Sequence, residues 1–389
     1  MAREHVLVVD DEPGVRRAIE RILGQRLQVT AVETAEEALS ILDAGPIDLV
    51  LADVRLPGID GLDLLTRVKE RKIDTEVIVM TGSAGERDEW LLHAIENGAY
   101  FFLTKPFERS VLDALVERCL ASRRLRRANE QHTQRIEESL EQARRFQANL
   151  YPRRTPAVRG ARVAAQARPC ESLGGDLYDF VLQPSGALDL FISDVSGHGV
   201  GAAMFTGAVK VAFRRHASPI GRAESLIHDL RLAAGLMGAG KFVTAIHAVY
   251  DSKTLALTYW NAGHPPLLRI TAAGDVHYGE STMPLLTSAL PELPLVRNTM
   301  QLEPGDRVLL YSDGLVETRN PANQHFGLDP VIHALTSMPE ASPGEALYRL
   351  EELVDAFRAG RPLEDDVTLL LLKVEKSALV PISHFADAT

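Results

Sequence analysis

The first 120 residues alternate short apolar segments with amphipathic segments, and this alternation constrains the fold more than any other feature. Apolar segments at 5–10, 27–32, 47–52, 75–81 and 99–103 predict buried strands. Segments near 13–24, 34–43, 61–71, 86–97 and 107–119 predict helices between and after them. Such alternation is typical of a parallel sheet with helices on both faces. The sequence therefore predicts a doubly wound (βα)5 domain of the α/β class.

Charged and hydroxyl side chains follow the predicted strands of this domain at their carboxyl ends. Asp10 and Asp11 follow the first strand, Asp53 the third, Thr81 closes the fourth, and Lys105 follows the fifth. These ends share one edge of a doubly wound sheet, where ligands bind. Clustered carboxylates favour a hard cation such as Mg²⁺, and an aspartate beside it can accept a phosphoryl group. Any one of these residues alone could be a helix cap or a solvated charge.

Residues 4–120 resemble a response-regulator receiver domain. The likeness lies in Asp10-Asp11, the segment 53–61 (DVRLPGIDG), Thr81-Gly82, Gly98-Ala99 and Lys105-Pro106-Phe107. It implies that Asp53 is the phosphoacceptor and that Thr81 and Lys105 sense the phosphoryl group. It also implies a Mg²⁺ ion bound by Asp10, Asp11, Asp53 and the Arg55 carbonyl, and a sensor histidine kinase as partner. Phe102 corresponds to the switch aromatic of the family and lacks the hydroxyl of a tyrosine, which excludes a hydrogen-bonded form of that switch.

The segment 122–150 contains neither glycine nor proline, and we predict one long helix that continues from the first domain. An a/d-like apolar stripe, interrupted by Gln147, consists of Ile136, Leu140, Ala143 and Leu150. Tyr151-Pro152 ends the helix, because the residue before a proline disfavours helical geometry. The four arginines of 123–127 predict a solvated helix face rather than a nucleic-acid site, since no aromatic residues interleave with them.

From about residue 158 onward, strands occur in adjacent runs rather than alternating with helices. Strands are predicted at 188–193, 242–250, 255–261, 266–271, 307–312 and 367–374, and helices near 199–215, 221–237 and 344–359. This grouping indicates an α+β sandwich. The predicted domains are therefore 1–121, a helical linker at 122–152, a second domain at 153–376 and a tail at 377–389.

A second group of carboxylates lies beside glycines at the edges of these strands. Asp176 follows Gly174-Gly175, Asp194 ends a strand, Asp313 follows another, and Asp365-Asp366 opens the last. Any single Asp-Gly pair could be an ordinary turn. Together, the oxygen-rich clusters suit a binuclear Mg²⁺ or Mn²⁺ site that activates water for attack on a phosphoryl group.

Residues 160–375 resemble the PPM family of metal-dependent serine/threonine phosphatases, in its bacterial SpoIIE-like branch. The likeness lies in Gly175-Asp176, the segments 194–199 (DVSGHG), 242–244 (FVT), 261–266 (NAGHPP), 311–317 (YSDGLVE) and 365–370 (DDVTLL). It implies an αββα sandwich of two antiparallel sheets and two Mn²⁺ or Mg²⁺ ions bridged by Asp194. The remaining implied ligands are Asp176, the Val195 carbonyl, Asp313 and Asp365, with Asp366 as the less favoured half of its pair. Because no motif places a phosphate-binding arginine, phosphate capture falls to the metals.

Two histidines near these motifs have open roles. His198 lies four residues after Asp194 and could protonate the leaving serine oxygen, or could make a structural hydrogen bond in a Gly-rich turn. His264 precedes Pro265-Pro266, which favours a role in a turn.

Composition narrows the function classes. The 389 residues carry a formal charge of −11, which argues against a nucleic-acid-binding output. Two cysteines exclude a disulfide framework, and the absence of a targeting or membrane segment leads us to expect a cytoplasmic protein. We therefore predict a response regulator in which phosphorylation of Asp53, relayed by a helix-mediated homodimer, controls a phosphoserine/phosphothreonine protein phosphatase. Its expected substrate is an anti-sigma-factor antagonist of a partner-switching pathway. The alternative is a catalytically inactive adaptor that sequesters a partner protein.

Overall fold

A computed structural model describes residues 3–82, 98–197, 199–217, 223–238, 240–291 and 293–375. The chain divides into two units, Met1–Ile136 and Glu137–Thr389. Within the described ranges, no helix combines the length and the apolar character needed to cross a membrane.

The first unit contains a parallel sheet. Its described strands are β1 (His5–Val9), β2 (Gln28–Val32), β3 (Leu49–Asp53), β4 (Glu76–Thr81) and β5 (Phe101–Thr104). They pair in the order β2-β1-β3-β4-β5, and every pairing is parallel. The described helices are α1 (Pro13–Leu23), α2 (Ala35–Ala44), α3 (Gly61–Glu70) and α4 (Arg109–Ala148). This arrangement confirms the doubly wound prediction, while the helix predicted near 86–97 lies outside the described residues.

The central strands form because they are apolar on both faces. Every residue of β3 and β4 is buried, and apolar clusters cover both sides of the sheet. The turn after β3 depends on Gly61, since a Cβ atom there would lie 2.0 Å from the Asp53 carbonyl oxygen. Asp60 caps α3 by accepting the N–H groups of Leu62 and Asp63. These contacts fix the backbone on which Asp53 stands.

Helix α4 is continuous over 40 residues, which confirms the predicted long helix. Its first turns pack Leu112, Val116 and Cys119 into the core beneath the sheet. The predicted solvated arginine face is wrong for Arg123, whose side chain is 3% exposed and pairs with Asp48. Further ion pairs on this face join Arg123 to Asp74, Arg126 to Glu76, and Arg127 to Asp74. The carboxylates at the amino-terminal ends of β3 and β4 therefore hold the arginines against the first unit.

The second unit contains two antiparallel sheets. Their described strands are β6 (Ala161–Arg168), β7 (Leu177–Leu182), β8 (Leu188–Val195), β9 (Val243–Asp251), β10 (Ala256–Ala262), β11 (Leu267–Ile270), β12 (Val276–Gly279), β13 (Asn298–Gln301), β14 (Arg307–Tyr311) and β15 (Val367–Val374). The described helices are α5 (Gly199–His216), α6 (Ala223–Leu236), α7 (Asp313–Glu317), α8 (Asp329–Ser337) and α9 (Pro343–Arg358). The sheet orders are β13-β10-β9-β8-β7 and β12-β11-β14-β15-β6.

Three apolar layers hold this unit together. One lies between the sheets and takes residues from both, such as Leu190 of β8 and Leu370 of β15. A second lies between β7–β10 and the helices α5 and α6, and a third between β11, β14 and β15 and the helices α8 and α9. The architecture is therefore an αββα sandwich, as predicted, with the ends of β7, β8, β14 and β15 available to carry a site.

Candidate functional sites

The carboxyl edge of the parallel sheet brings Asp10, Asp53 and Lys105 into contact. Asp10 directly follows β1, and Asp53 is the last residue of β3. The Nζ atom of Lys105 lies 2.6 Å from Asp10 Oδ2 and 3.0 Å from Asp53 Oδ2. Because the side chains of Asp10 and Asp53 are 0% and 8% exposed, the lysine offsets two carboxylates that are removed from water.

The electrostatics of this site favour a protonated lysine and a destabilised aspartate anion. Burial raises the pKa of Asp53, the hydrogen bond and charge of Lys105 oppose that rise, and Asp10 and Asp11 add to it. Burial alone would lower the pKa of Lys105, but its hydrogen bonds to Asp10 and Asp53 outweigh that effect and raise it. A nearby cation therefore stabilises the ionised form of Asp53.

The other predicted residues of the receiver site lie around this trio. Asp11 and Arg55 are exposed, and Thr81, at the end of β4 beside β3, is 4% exposed. Carboxylate oxygens of Asp10, Asp11 and Glu12 lie within 4.8 Å of one another, a spacing that could hold a metal ion. This all-oxygen donor set fits Mg²⁺.

Adjacent strands place Asp176 and Asp194 side by side in the second unit. Leu177 of β7 pairs with Ser193 of β8, so the residue before β7 lies opposite Asp194. The Val195 N–H donates to the Gly175 carbonyl at 3.3 Å. A Cβ atom on Gly175 would lie 2.6 Å from the Val195 carbonyl oxygen, so this approach of the two strands requires glycine.

The end of β14 and the start of β15 bring Asp313 near Asp365 and Asp366. The Ser312 N–H donates to the Thr368 carbonyl at 3.0 Å, and the Thr368 N–H donates to Ser312 Oγ at 2.8 Å. The Ser312 hydroxyl in turn donates to the Asp366 carbonyl at 3.1 Å. These bonds fix the two acidic segments next to each other.

The two halves of the Asp365-Asp366 pair differ in role. Asp366 is 3% exposed, and its carboxylate accepts the N–H groups of Cys170 at 2.8 Å and Gly175 at 2.6 Å. Asp365 is exposed, with one oxygen accepting the Asp366 N–H at 2.8 Å. Asp366 thus organises the glycine loop that carries Asp176, while Asp365 faces solvent at the rim.

The carboxylates of this cluster carry negative charge that the surrounding protein compensates poorly. Both carboxylate oxygens of Asp176 are buried and, among the described residues, have no hydrogen-bond partner. Burial and the charge of Asp194 raise the pKa of Asp176 well above its usual value, and the nearby hydroxyls of Ser312 and Thr368 oppose only part of that rise. Burial, together with Asp313 and Asp365, raises the pKa of Asp194 to about 7. Burial also raises the pKa of Asp313. Carboxylates so poorly compensated fit hard divalent cations.

Of the two candidate histidines, the structure describes only His264. His198 lies outside the described residues. His264 is 4% exposed, its ring nitrogen Nδ1 lies 2.7 Å from the Thr244 hydroxyl, and its backbone pairs with the Asn261 side chain. Burial lowers the pKa of His264 to about 3, so its ring is neutral near pH 7 and serves the turn structurally.

Several residues beside the cluster were not predicted from the sequence. Lys241, which precedes β9, places its Nζ atom 3.3 Å from the Ser196 carbonyl, beside the loop that follows Asp194. Gln147 donates a hydrogen bond to the Gly174 carbonyl, and Tyr151 donates one to the backbone carbonyl of Asp176. The one sequence signal for these contacts is that Gln147 interrupts the apolar stripe of the linker helix.

Comparisons with known proteins match a different family to each of the two units. Residues 6–117 match the family described as "Response regulator receiver domain", and residues 184–375 match "Stage II sporulation protein E (SpoIIE)". Protein IcfG of Synechocystis sp. is 26% identical over 259 residues, which cover 59% of this chain and 40% of IcfG. The DNA-binding transcriptional regulator NtrC of Salmonella typhimurium is 38% identical over 122 residues, which cover 31% of this chain and 26% of NtrC. The chain therefore spans less than half the length of either relative.

One solved structure supports the fold of the second unit. The SiaA-PP2C domain of Pseudomonas aeruginosa superposes with a TM-score of 0.55 at 18% sequence identity, covering 62% of this chain and 98% of that domain. At this identity the likeness concerns the fold alone.

Proposed function

We propose that phosphorylation of Asp53 controls a metal-dependent phosphoserine/phosphothreonine protein phosphatase, because residues 6–117 match the receiver-domain family and residues 184–375 match the SpoIIE family. The observation that carries the proposal is the second acidic cluster. Asp176 and Asp194 lie at the ends of adjacent strands. Burial and the charge of Asp194 raise the pKa of Asp176, and burial and the charges of Asp313 and Asp365 raise the pKa of Asp194. An arrangement this unfavourable is expected where cations are bound for function.

Five carboxylates and one carbonyl are the proposed ligands of the cations. Asp194 is proposed as the ligand shared by two ions. The other proposed donors are Asp176, the Val195 carbonyl, Asp313 and Asp365, with Asp366 as the less favoured half of its pair. Two bound Mn²⁺ or Mg²⁺ ions would supply Lewis-acid stabilisation of the phosphoryl charge and a water of lowered pKa. The buried strand ends hold the carboxylates in place, and the exposed rim at Asp365 leaves room for a protein-bound phosphate.

Lys241 supplies a positive charge where the sequence offered no arginine motif. Its side chain is exposed and already reaches the Ser196 carbonyl beside Asp194. A lysine at this position can attract a phosphate as a point charge. We place it in the binding of the phosphorylated substrate, in addition to the cations.

The first unit supplies the input of the proposed switch. A sensor histidine kinase is the proposed phosphodonor, and Mg²⁺ at Asp10, Asp11, Asp53 and the Arg55 carbonyl would assist the transfer. The contact of Lys105 with Asp53 supports a role in binding a phosphoryl group there, and Thr81 lies at the end of the neighbouring strand. The added phosphoryl carries about −1.5 to −2 charges, enough to redistribute these contacts.

We propose a phosphorylated regulatory protein as the substrate and a homodimer as the assembly. The SpoIIE-type match favours a phosphorylated regulatory protein, such as an anti-sigma-factor antagonist in a partner-switching pathway. Leu125 and Ile136 on α4 are 73% and 57% exposed, which favours a homodimer that covers them. We place the protein in the cytoplasm, where its free thiols, Cys119 and Cys170, would stay reduced.

The test measures hydrolysis of p-nitrophenyl phosphate and of a phosphoserine protein in Mn²⁺. Asp194→Ala should abolish hydrolysis, whereas Asp275→Ala, in the exposed turn between β11 and β12, should leave it unchanged. Equal rates for wild type and Asp194→Ala would refute the catalytic assignment and leave the adaptor hypothesis. A small acyl-phosphate donor should change the rate in wild type and not in Asp53→Asn.

A further inference from the structure

The last turns of α4 contact the loop that carries Asp176. The side-chain amide of Gln147 donates from Nε2 to the Gly174 carbonyl at 2.6 Å, and its Oε1 accepts the Gly174 N–H at 3.1 Å. Gln147 is 6% exposed, so these bonds form away from water. One turn earlier, Arg144 donates to the carbonyl of Ser172 at 3.1 Å.

A second contact follows directly after the helix. The Tyr151 hydroxyl donates to the backbone carbonyl of Asp176 at 2.9 Å. The Tyr151 ring packs on Tyr178 with the ring centroids 5.1 Å apart, which fixes the direction of the hydroxyl. The backbone before Gly175 is therefore held by the last turn of the helix, and the backbone after it by Tyr151.

The opposite side of the same loop is held by the candidate metal ligands. Asp366 accepts the Gly175 N–H at 2.6 Å, and the Gly175 carbonyl accepts the Val195 N–H at 3.3 Å. The loop thus lies between the helix end and the acidic cluster. A displacement of either side changes where the Asp176 carboxylate stands.

A buried glutamine at position 147 destabilises the fold unless its side-chain amide forms hydrogen bonds. It occupies a position of the apolar stripe where a leucine or methionine would pack without a buried polar group. A primary amide, however, offers one donor direction and one acceptor direction that match the C=O and N–H of a single peptide residue. Its pairing with Gly174 uses both.

We propose that Gln147, in the last turn of α4, and Tyr151, three residues after the helix, are positioning residues that set the divalent-cation affinity of the acidic cluster. The inference rests on the proposed function only in taking Asp176 and Asp194 as ligands of the cation. By this inference the linker helix acts on the candidate metal site of its own chain through direct contact, and this action does not require a second chain.

The test measures Mn²⁺ binding to the full chain by isothermal titration calorimetry. Every chain carries Asp11→Asn, so that the receiver carboxylates do not add to the heat. Gln147→Met keeps the volume and removes both hydrogen bonds to Gly174, together with a longer one from Nε2 to the Thr206 hydroxyl at 3.5 Å, and Tyr151→Phe removes only the hydroxyl. Two hydrogen bonds of ordinary strength correspond to roughly a tenfold change in affinity, so Gln147→Met should weaken Mn²⁺ binding about tenfold and Tyr151→Phe about threefold.

Matched controls lie on exposed surface. Gln142→Met makes the same change on the exposed face of α4, and Tyr348→Phe makes it on α9 at a side chain that is 62% exposed. Both should bind Mn²⁺ like the parent chain. A positioning role also predicts that the Mn²⁺ concentration for half-maximal hydrolysis rises, while kcat at saturating Mn²⁺ stays within about twofold of the parent.

The outcomes separate the two proposals. Parent-like Mn²⁺ affinity in Tyr151→Phe and in a folded Gln147→Met would overturn the inference, and if Gln147→Met does not fold, Tyr151→Phe decides alone. A parent chain that binds Mn²⁺ at Asp194 but hydrolyses no phosphoprotein would refute the proposed function, while the binding measurement would still decide the positioning role.

Discussion

Replacing Asp194 with asparagine should stabilise the metal-free protein while it removes phosphatase activity. In the absence of metal, the ionised Asp194 side chain is half-buried against Asp313 and Asp365, and burial and these charges raise its pKa from 3.8 to about 7. The folded state therefore binds the proton of Asp194 more tightly than the unfolded state does. Folding stability falls as the pH rises from about 4 to about 7, and the loss is complete above that range.

The size of the effect follows from the size of the shift. A difference of about three pKa units corresponds to about 4 kcal/mol at pH 8, since each unit is worth about 1.4 kcal/mol. Water near the rim reduces this figure, and we expect Asp194→Asn to raise the free energy of unfolding by about 2 kcal/mol at pH 8 in EDTA. At pH 5 the gain should shrink below about 1 kcal/mol, because wild-type Asp194 is then mostly protonated. In Mn²⁺ the order should reverse, since only wild type gains the binding energy of the ions.

Asp189 provides a matched control on the same strand. Its carboxylate accepts hydrogen bonds from Gln183 Nε2 at 2.6 Å and lies 2.8 Å from His247 Nε2, so it is well compensated. Asp189→Asn should therefore destabilise the fold by about 1–3 kcal/mol, the usual cost of leaving a buried polar partner unsatisfied. The same chemical change five residues apart thus has opposite expected signs.

The assay is urea unfolding followed by Trp260 fluorescence in a Trp90→Phe background. Trp260 is 1% exposed in the core of the second unit, and these are the two tryptophans of the chain, so the signal reports that unit alone. An Asp194→Asn protein that is less stable than wild type in EDTA at pH 8, or a gain that does not decline toward pH 5, would refute the electrostatic reasoning.

Three further predictions concern other contacts. Asp48→Ala should destabilise the first unit by about 3 kcal/mol, measured by calorimetric unfolding, because Arg123 would keep a buried charge with one fewer partner; a loss below about 1 kcal/mol contradicts this. Lys241→Ala should raise KM for a phosphoserine protein about tenfold at unchanged kcat, with Lys241→Arg restoring most of it, and steady-state kinetics that show only a kcat loss would exclude a binding role. Mg²⁺ with beryllium fluoride should change the phosphatase rate of wild type but not of Asp53→Asn, and an equal response of both proteins would separate the effect from the receiver site.

The receiver half of the fold could be predicted from the sequence because its signals are local. Each strand is a short apolar run that ends in a polar residue, and parallel pairing brings those ends together without further information. The contact of Lys105 with Asp10 and Asp53 follows from this rule. The burial of Arg123 does not, since its partners Asp48 and Asp74 lie at the opposite edge of the sheet, and an arginine run on a helix gives no sign of them.

The second half was predicted less completely. Strand β6 is rich in alanine, so its hydrophobicity did not distinguish it as a strand. Strands β12 and β13 have only four residues each, which is too short for a clear pattern. The acidic clusters were found because glycine and aspartate adjoin at strand ends. Gln147 was visible only as an interruption in an apolar stripe, and its partner Gly174 is 27 residues away in sequence, a pairing that only the folded chain defines.

The two acidic sites differ in how their charge is compensated, and this difference suits their proposed tasks. In the receiver site, Lys105 contacts both Asp10 and Asp53, so a positive charge offsets the two carboxylates without a metal ion. In the second site, among the described residues, neither Asp176 nor Asp194 pairs with a lysine or arginine. That site should therefore depend on bound cations for its geometry. If the linker helix changes the cation affinity, it should thereby change the geometry of the site. A signal that moved the Gly174–Asp176 backbone would change the distance between the buried carboxylate of Asp176 and the half-buried carboxylate of Asp194. The affinity of the pair for a cation should change with that distance, because their charges interact in a poorly solvated site.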